Sequence, residues 1–226
     1  SSDGSAFQNV TSTGSFDLWP AWSPDSRRLA FVSDRATCPT WTPGEPGSCS
    51  QIEPAAELGL AAESVVPRSG NLFVLDLATG RVQQVSELTV DGPPRWVSNL
   101  QVAVTVGLSD AFATESKIYL LDTQAGTSRR ISDADPSLDL GMAWAPGGVR
   151  VIYQRASEPP AIILRDAAGN VIQSTDRFLF PRFGFTAAWS PGGERVAFGG
   201  HEGQCPYGLV VASATLALNY AGNSPG

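Results

Sequence analysis

Short apolar runs separated by turn residues recur along the chain, and residues 17–35 show the pattern best. Residues 18–22 form one apolar run, residues 23–26 a polar turn, and residues 29–32 a second apolar run. Runs of four or five residues are too short for helices, and Trp, Phe and Val favour strands. Pro24 supplies the backbone angle needed at the second turn position. The stretch therefore predicts a β-hairpin.

Three weaker copies of this hairpin follow, with turns after Trp96, Trp144 and Trp189. A second apolar strand and a last polar strand also repeat, and the second halves begin at intervals of 46, 44 and 47 residues, at Leu72, Ile118, Ile162 and Leu209. A period in the forties with four short strands per unit is typical of propeller blades. The sequence predicts an all-β fold, a β-propeller of four-stranded antiparallel blades.

The period divides the chain into four blades, expected at residues 17–90 with an insertion at 36–70, then 91–137, 138–182 and 183–226. Residues 3–11 align with residues 78–86, so residues 1–16 are expected to supply the outer strand of a preceding blade. An open arc of four blades, cut from a longer propeller, is expected from this alignment. The alternative is a small propeller that closes on itself.

The hairpin motif from Pro20 to Ser33, followed by residues 71–86, resembles the TolB-like β-propeller repeat. The likeness covers nearly the whole chain outside the insertion, and it implies that the four blades are part of a six-bladed or larger propeller. Its best copies are the first and fourth, whereas the second has Val97, Ser98 and Asn99 in place of the Ser-Pro turn. The resemblance implies the fold more firmly than the function. It implies a non-enzymatic binding or scaffold module of the cell envelope or exterior, in a periplasmic, cell-surface or secreted location.

The alternative function is that of a propeller domain in a larger enzyme, because similar propellers cover the active site of prolyl-oligopeptidase-like serine peptidases. His201 is the one histidine of the chain, so a zinc site of several histidines is excluded. We predict no catalytic residue, cofactor or metal. Recurring Asp76, Asp122 and Asp166 are interpreted as turn-forming residues, with calcium binding as the alternative.

The charge pattern argues against nucleic acid as a partner. The formal net charge is −7, and the basic residues are scattered, whereas nucleic-acid binding needs a basic face. No apolar run is long enough to span a membrane directly within this segment. We expect protein partners, with contact to missing blades or to another subunit as a further possibility.

The insertion at residues 36–70 breaks the period and begins with a stretch rich in Pro and Gly that contains Cys38 and Cys49. A disulfide between these two cysteines would close a short loop and would require an oxidising compartment. Cys205 would then remain for a partner or another part of the chain. The alternative is three unrelated reduced thiols.

Candidate binding residues lie in this insertion and near the channel. Trp41 has no role in the repeat, so residues 38–68, with Trp41 and Arg68, are expected to contact a partner. The alternative is a flap that stiffens its own blade. Segments leading into the innermost strands add Phe16, Arg95 and Phe183 at one end of the channel. The four repeated tryptophans are expected to fill the interfaces between blades: Trp22, Trp96, Trp144 and Trp189.

Overall fold

The computed structural model describes residues 8–11, 13–38, 69–107, 115–156, 160–175, 185–202 and 205–216, with residues 200–202 and 205–208 described by their backbone only. The described residues form fifteen strands and one short 3-10 turn, Pro146–Gly148. Among them, no helix is long and apolar enough to cross a bilayer. The predicted all-β fold is confirmed.

The first blade is a four-stranded antiparallel sheet whose strands pair in chain order: β1 (Asp17–Trp22), β2 (Arg28–Ser33), β3 (Asn71–Asp76) and β4 (Val82–Gln84). Ser23 closes the β1–β2 turn, because its amide donates to the carbonyl of Arg28 and its hydroxyl accepts from the amide of Arg28, each over 2.9 Å. The hairpin predicted for residues 17–35 is confirmed.

The next two blades repeat this order. The second contains β5 (Arg95–Trp96), β6 (Gln101–Gly107), β7 (Ser116–Asp122) and β8 (Ser128–Arg130). The third contains β9 (Leu138–Trp144), β10 (Arg150–Ala156), β11 (Ala161–Asp166) and β12 (Val171–Thr175). A single parallel bridge between Ser116 and Leu138 joins the two sheets.

The fourth blade is described as three antiparallel strands: β13 (Ala187–Trp189), β14 (Arg195–Glu202) and β15 (Cys205–Ser213). Its predicted outer strand begins at Leu216, the last described residue. At the other end, residues 8–11 belong to no strand, and residues 1–7 lie outside the described part of the chain. The blade boundaries, the blade number and the role of residues 1–16 therefore stay predictions.

The hydrophobic cores lie between neighbouring blades because side chains alternate across each strand. In β6, Val102 and Val104 pack with the first blade, whereas Ala103 packs with residues of the third. In β10, Tyr153 faces the second blade and Ile152 faces the fourth. Each fully buried aliphatic side chain contributes on the order of 2 kcal/mol. Burial between sheets is therefore the main stabilising contribution that fixes one blade against the next.

Candidate functional site

A cavity of about 550 Å³ opens beside the innermost strands of the first three blades. Four tryptophans contribute to its wall: Trp19, Trp22, Trp96 and Trp144. They come from β1, from β5 and from the last residue of β9, so strands of three blades position them. The volume is typical of ligand pockets, and rigid strands hold aromatic groups more firmly than loops do.

Trp19 reaches this cavity from a bulge in β1. The register slips between Leu18 and Ala21, so that Trp19 and Pro20 together oppose Phe31 of β2. Pro20 has no amide hydrogen for the ladder. Trp19 has a φ of 52°, which is unusual for a bulky residue and costs on the order of 1–2 kcal/mol. Bulges of this kind redirect a side chain.

The third blade carries the same bulge with a different residue. In β9 the register slips between Leu140 and Ala143, and Gly141 has a φ of 64°. Gly141 stands three residues before Trp144, as Trp19 stands three residues before Trp22. Glycine adopts this conformation at little cost. The first blade therefore places a strained indole on the cavity wall where the third blade uses the residue best suited to the backbone.

Indole N–H groups join neighbouring blades in a repeated way. Trp96 Nε1 donates to the carbonyl of Ala21 over 2.9 Å. Trp189 Nε1 donates to the carbonyl of Ala143 over 3.0 Å. In each case the acceptor immediately precedes the tryptophan of another blade, so one hydrogen bond reinforces each apolar contact.

Trp144 departs from this pattern. Its Nε1 is buried and has no hydrogen-bond partner among the described residues. A buried donor without a partner costs about 1–3 kcal/mol, and such groups are rare in folded proteins. Other atoms of Trp144 line the cavity, while its N–H is buried within the folded chain.

Three of the four repeated tryptophans lie where the sequence predicts. Trp96, Trp144 and Trp189 pack against the cores between blades. Among the described residues Trp22 contacts no such core, and 61% of its surface is exposed. Its indole instead forms part of the cavity wall.

The rest of the described wall is apolar except at Arg95. Prolines contribute at Pro20, Pro24, Pro93 and Pro94. Arg95 is exposed and is the charged residue on the described wall. Indole and guanidinium groups donate hydrogen bonds and do not accept them. The polar side-chain groups of the wall are therefore all donors.

Of the sequence-predicted contact residues, Arg95 lies on the cavity wall. Phe16 lies away from it, just before β1, where its amide donates to Asp34 Oδ1 over 2.9 Å. The remaining predicted residues lie outside the described part of the chain, and their roles stay predictions: Trp41, Cys49, Arg68 and Phe183.

Cys38 is fully buried, and its sulfur is bound in a disulfide. It follows a turn in which its amide donates to the carbonyl of Asp34 over 2.7 Å. The second cysteine of the bond lies outside the described side chains. Pairing with Cys49 therefore stays a prediction.

The recurring aspartates after the third strands form turns. Asp76 Oδ1 accepts hydrogen bonds from the amides of Ala78 and Thr79, and Asp122 and Asp166 accept similar bonds from the residues that follow them. Hydrogen bonds from Thr79 hold the pKa of Asp76 below its usual range. The interpretation as turn residues fits these contacts, and the described residues contain no group of three or more potential metal ligands.

A partly buried ionic cluster joins the second and third blades, with Asp133 and Asp135 at its exposed edge. Lys117 of β7 lies 3.2 Å from Asp135 and 3.7 Å from Asp139, measured from Nζ to the carboxylate oxygens. Arg155 of β10 contacts the same two aspartates, and Asp133 binds both Arg155 and Arg165. Three cations meet three carboxylates, so the charges balance.

Tyr153 lies at the centre of this cluster and is fully buried. Its hydroxyl oxygen accepts hydrogen bonds from Arg165 Nε at 2.8 Å and from Arg155 at 3.3 Å. Burial raises the pKa of Tyr153 to about 12 and also raises the pKa of Asp139. The cluster is a structural contact between the second and third blades. It shares no residue with the described wall of the aromatic cavity.

Sequence reasoning missed Trp19 and the ionic cluster. Trp19 has no aromatic counterpart in the later copies of the repeat, where Gly141 and Thr186 stand at the matching positions. This departure from the repeat could have marked Trp19 as a candidate functional residue. The sequence carries no comparable signal for the ionic cluster, because Lys117 and Arg165 are far apart in sequence and come together only when two blades pack.

No protein-family model matches the chain. A protein named TolB homolog from Chlorobium luteolum is 27% identical over 164 residues, which cover 72% of this chain and 29% of that relative. The chain thus spans less than a third of the length of the curated relatives it matches.

Solved structures share the fold. TolB from Acinetobacter baumannii matches 94% of this chain and 44% of its own with a TM-score of 0.56 at 18% identity. An oligogalacturonate lyase from Vibrio parahaemolyticus matches 89% of this chain and 52% of its own with a TM-score of 0.56 at 13% identity. The repeat motif, the four-stranded blades and the named relatives agree: the chain has a β-propeller fold and is similar to TolB.

Proposed function

We propose that this chain is a non-enzymatic, protein-binding propeller of the cell envelope or exterior, and that the tryptophan-lined cavity holds a polypeptide segment of its partner. The cavity carries the proposal, because a strained Trp19 contributes to its wall. Backbone strain clusters at functional sites, where the surrounding structure maintains it.

Binding suits this wall better than catalysis does. Its described side chains are Trp, Pro, Ala and one Arg. None of these is a nucleophile or a general base at neutral pH. Rigid aromatic groups, by contrast, contribute large contact areas at a low entropy cost and dominate binding energies at protein interfaces.

Two observations support the envelope or exterior as the location. Cys38 is bound in a disulfide, and disulfides persist in oxidising compartments such as the periplasm and the cell exterior. The curated relatives carry the name TolB homolog. Both observations favour a periplasmic location, which we propose for this chain.

Selection from a random displayed-peptide library tests the function. Trp22→Ala alters the exposed part of the wall, and Val171→Ala is the matched control because Val171 is 50% exposed on β12, away from the cavity. Selected peptides should bind the wild type and Val171→Ala equally and Trp22→Ala about tenfold or more weakly. Failure to enrich any peptide, or equal binding to all three proteins, would contradict the proposal.

A second candidate is the propeller domain of a larger enzyme. The similarity in fold to the oligogalacturonate lyase favours this candidate. The match covers about half of the chain of that enzyme. The full-length gene distinguishes the two. A downstream α/β-hydrolase segment with its serine and histidine would favour a peptidase, whereas a signal or membrane segment alone favours the binding protein.

Residues 38–68, with Trp41 and Arg68, are proposed as a second contact, either with the partner or with a further blade or subunit. Trp41→Ala should weaken association by about 1–3 kcal/mol without changing the melting temperature. If the variant instead unfolds more easily and binds normally, Trp41 packs on its own blade and the segment is a stiffening flap.

A further inference from the structure

Arg28 is the first residue of β2, and its side chain crosses to the second blade. Its guanidinium carbon lies 5.2 Å from the centre of the Trp96 ring, a distance at which a cation is attracted to the face of an indole. Its Nη2 donates to the carbonyl of Asn99, and its Nη1 donates to Thr123 Oγ1 over 3.4 Å. Among the described residues Arg28 forms no ion pair. The described contacts of this cation are thus one aromatic face and two neutral acceptors.

Trp96 is held on two sides by the first blade. Its Nε1 donates to the carbonyl of Ala21 over 2.9 Å, and Arg28 covers one of its faces. The hydrogen bond fixes the edge of the ring, and the stacking fixes its plane. An interface side chain that is already ordered loses little conformational freedom when a ligand binds. The described wall of the cavity includes Trp96 but not Arg28, so Arg28 acts on the wall through Trp96 and not by direct contact.

Asn99 anchors both Arg28 and the hairpin turn of the first blade. Its carbonyl accepts from Arg28, and its Oδ1 accepts from the amide of Asp25 over 3.1 Å. Asp25 follows Pro24, which belongs to the cavity wall. The turns of two blades are therefore tied together beside the wall, and groups supported in this way keep their geometry better than groups on free loops do.

The repeat offers an internal comparison for Arg28. Gln101, Arg150 and Arg195 are the first residues of the second strands in the other three blades. Arg150 also reaches the next blade, where its Nη1 donates to the carbonyl of Ala214 over 3.2 Å. Among the described residues only Arg28 stacks on the tryptophan of the next blade, and that tryptophan lines the cavity. The stacking therefore coincides with the cavity and is not a general feature of the repeat.

Building on the proposed function, we propose that Arg28 is a positioning residue of the tryptophan-lined cavity, which holds the indole of Trp96 ready for a polypeptide segment. Arg28 does not touch the segment. It stacks on Trp96, and its hydrogen bonds to Asn99 and Thr123 keep the guanidinium in place. Replacing Arg28 should therefore lower the affinity for peptides that contact Trp96 without removing a contact to the peptide.

Affinities of library-selected peptides, measured by fluorescence anisotropy, test this inference. The peptides used are those that bind Trp96→Phe more weakly than wild type, so that Trp96 is known to contribute. Arg28→Gln is the test variant because glutamine stands at the same position in the second blade, at Gln101, and Arg150→Gln is the matched control. Arg28→Met, of similar length, is the second variant if Arg28→Gln does not fold.

The expected affinities differ between these variants. Arg28→Gln and Arg28→Met should each bind about fivefold more weakly than wild type, because the ring loses its stacked cation. Arg28→Lys keeps a cation and should bind within about twofold of wild type. Arg150→Gln should bind as wild type does.

An indole NMR signal separates positioning from a loss of stability. The Trp96 signal, identified by its loss in Trp96→Phe, should shift or broaden in Arg28→Gln because the ring is no longer covered. It should stay in place in Arg150→Gln, which removes a hydrogen bond between other blades. Urea unfolding shows that each variant is folded under the binding conditions.

The outcomes separate this inference from the proposed function. Equal losses of affinity in Arg28→Gln and Arg150→Gln, or wild-type binding by Arg28→Gln, overturn the inference. The proposed function stands in that case if Trp22→Ala still weakens binding of the same peptides. Selected peptides that all bind Trp96→Phe normally also overturn the inference. If no peptide is enriched, the proposed function fails and the inference fails with it.

Discussion

The indole Nε1 of Trp96 donates to the carbonyl oxygen of Ala21 over 2.9 Å, and this bond ties the second blade to the first. Trp189 makes the equivalent bond to Ala143, whereas Trp144 leaves its N–H unpaired among the described residues. Neighbouring blades are thus held by apolar packing plus a repeated indole hydrogen bond, and the cavity coincides with the place where that bond is missing.

The first prediction compares these three tryptophans. Trp96→Phe and Trp189→Phe should each lower the free energy of unfolding by about 1–2 kcal/mol, since each leaves a carbonyl without its donor. Trp144→Phe loses similar packing but breaks no hydrogen bond, so it should cost about 1 kcal/mol less than either of the other two. Urea titrations give the three values. A loss for Trp144→Phe as large as for Trp96→Phe would show that its N–H is bonded within the folded chain.

The second prediction concerns the strained backbone at Trp19. With a φ of 52°, this position should tolerate Trp19→Gly better than Trp19→Ala by about 1 kcal/mol, because alanine retains the strain of a left-handed conformation. Trp22 in the same strand has no positive φ. There the order should reverse, with Trp22→Gly less stable than Trp22→Ala by roughly 1 kcal/mol. The same order at both positions in urea unfolding would refute the strain.

A third prediction follows from Tyr153. Its pKa in the folded chain is about 12, above the value of about 10 in an unfolded chain. The neutral hydroxyl therefore contributes stability that is fully present below pH 10 and is lost as the pH rises towards 12, by up to about 3 kcal/mol. Tyr153→Phe should be less stable than wild type near pH 8 and should lose less stability over that range. Parallel alkaline decay of both proteins in circular dichroism would contradict this account.

The fourth prediction concerns the cysteines. Alkylation of the unreduced chain should modify one thiol, Cys205, because Cys38 is bound in a disulfide and Cys49 is its predicted partner. After reduction all three should be modified. Peptide mapping that finds Cys49 modified in place of Cys205 would reassign the pairing, and three modified thiols without reductant would remove the support for an oxidising compartment.

The repeat was predictable because apolar period and turn residues are local signals. Ser23, Pro24 and the apolar runs around them determine the hairpin without reference to other blades. The third strands begin within two residues of Leu72, Ile118 and Ile162, as the sequence predicted. A strand of six residues can be recognised from its own pattern of apolar residues and from the turn that follows it.

The cavity could not be predicted in the same way. Trp19 enters the wall because a bulge changes the strand register, and the sequence of β1 alone does not show a positive φ. The unpaired N–H of Trp144 depends on how two sheets pack, and the contacts of Lys117 with Asp135 and Asp139 depend on the same packing. These features arise from distances between blades, which a local pattern does not contain.

Indole nitrogen NMR tests the central claim most directly. The chain has six tryptophans, so ¹⁵N-labelled protein gives at most six indole signals, and Trp22→Phe and Trp189→Phe identify the two of interest by their loss. When a peptide selected from the displayed library is added, the Trp22 indole signal should shift because the peptide covers the exposed part of the cavity wall, while the Trp189 signal, already bonded to Ala143, should stay in place. A Trp22 signal that does not change at saturating peptide would contradict the account.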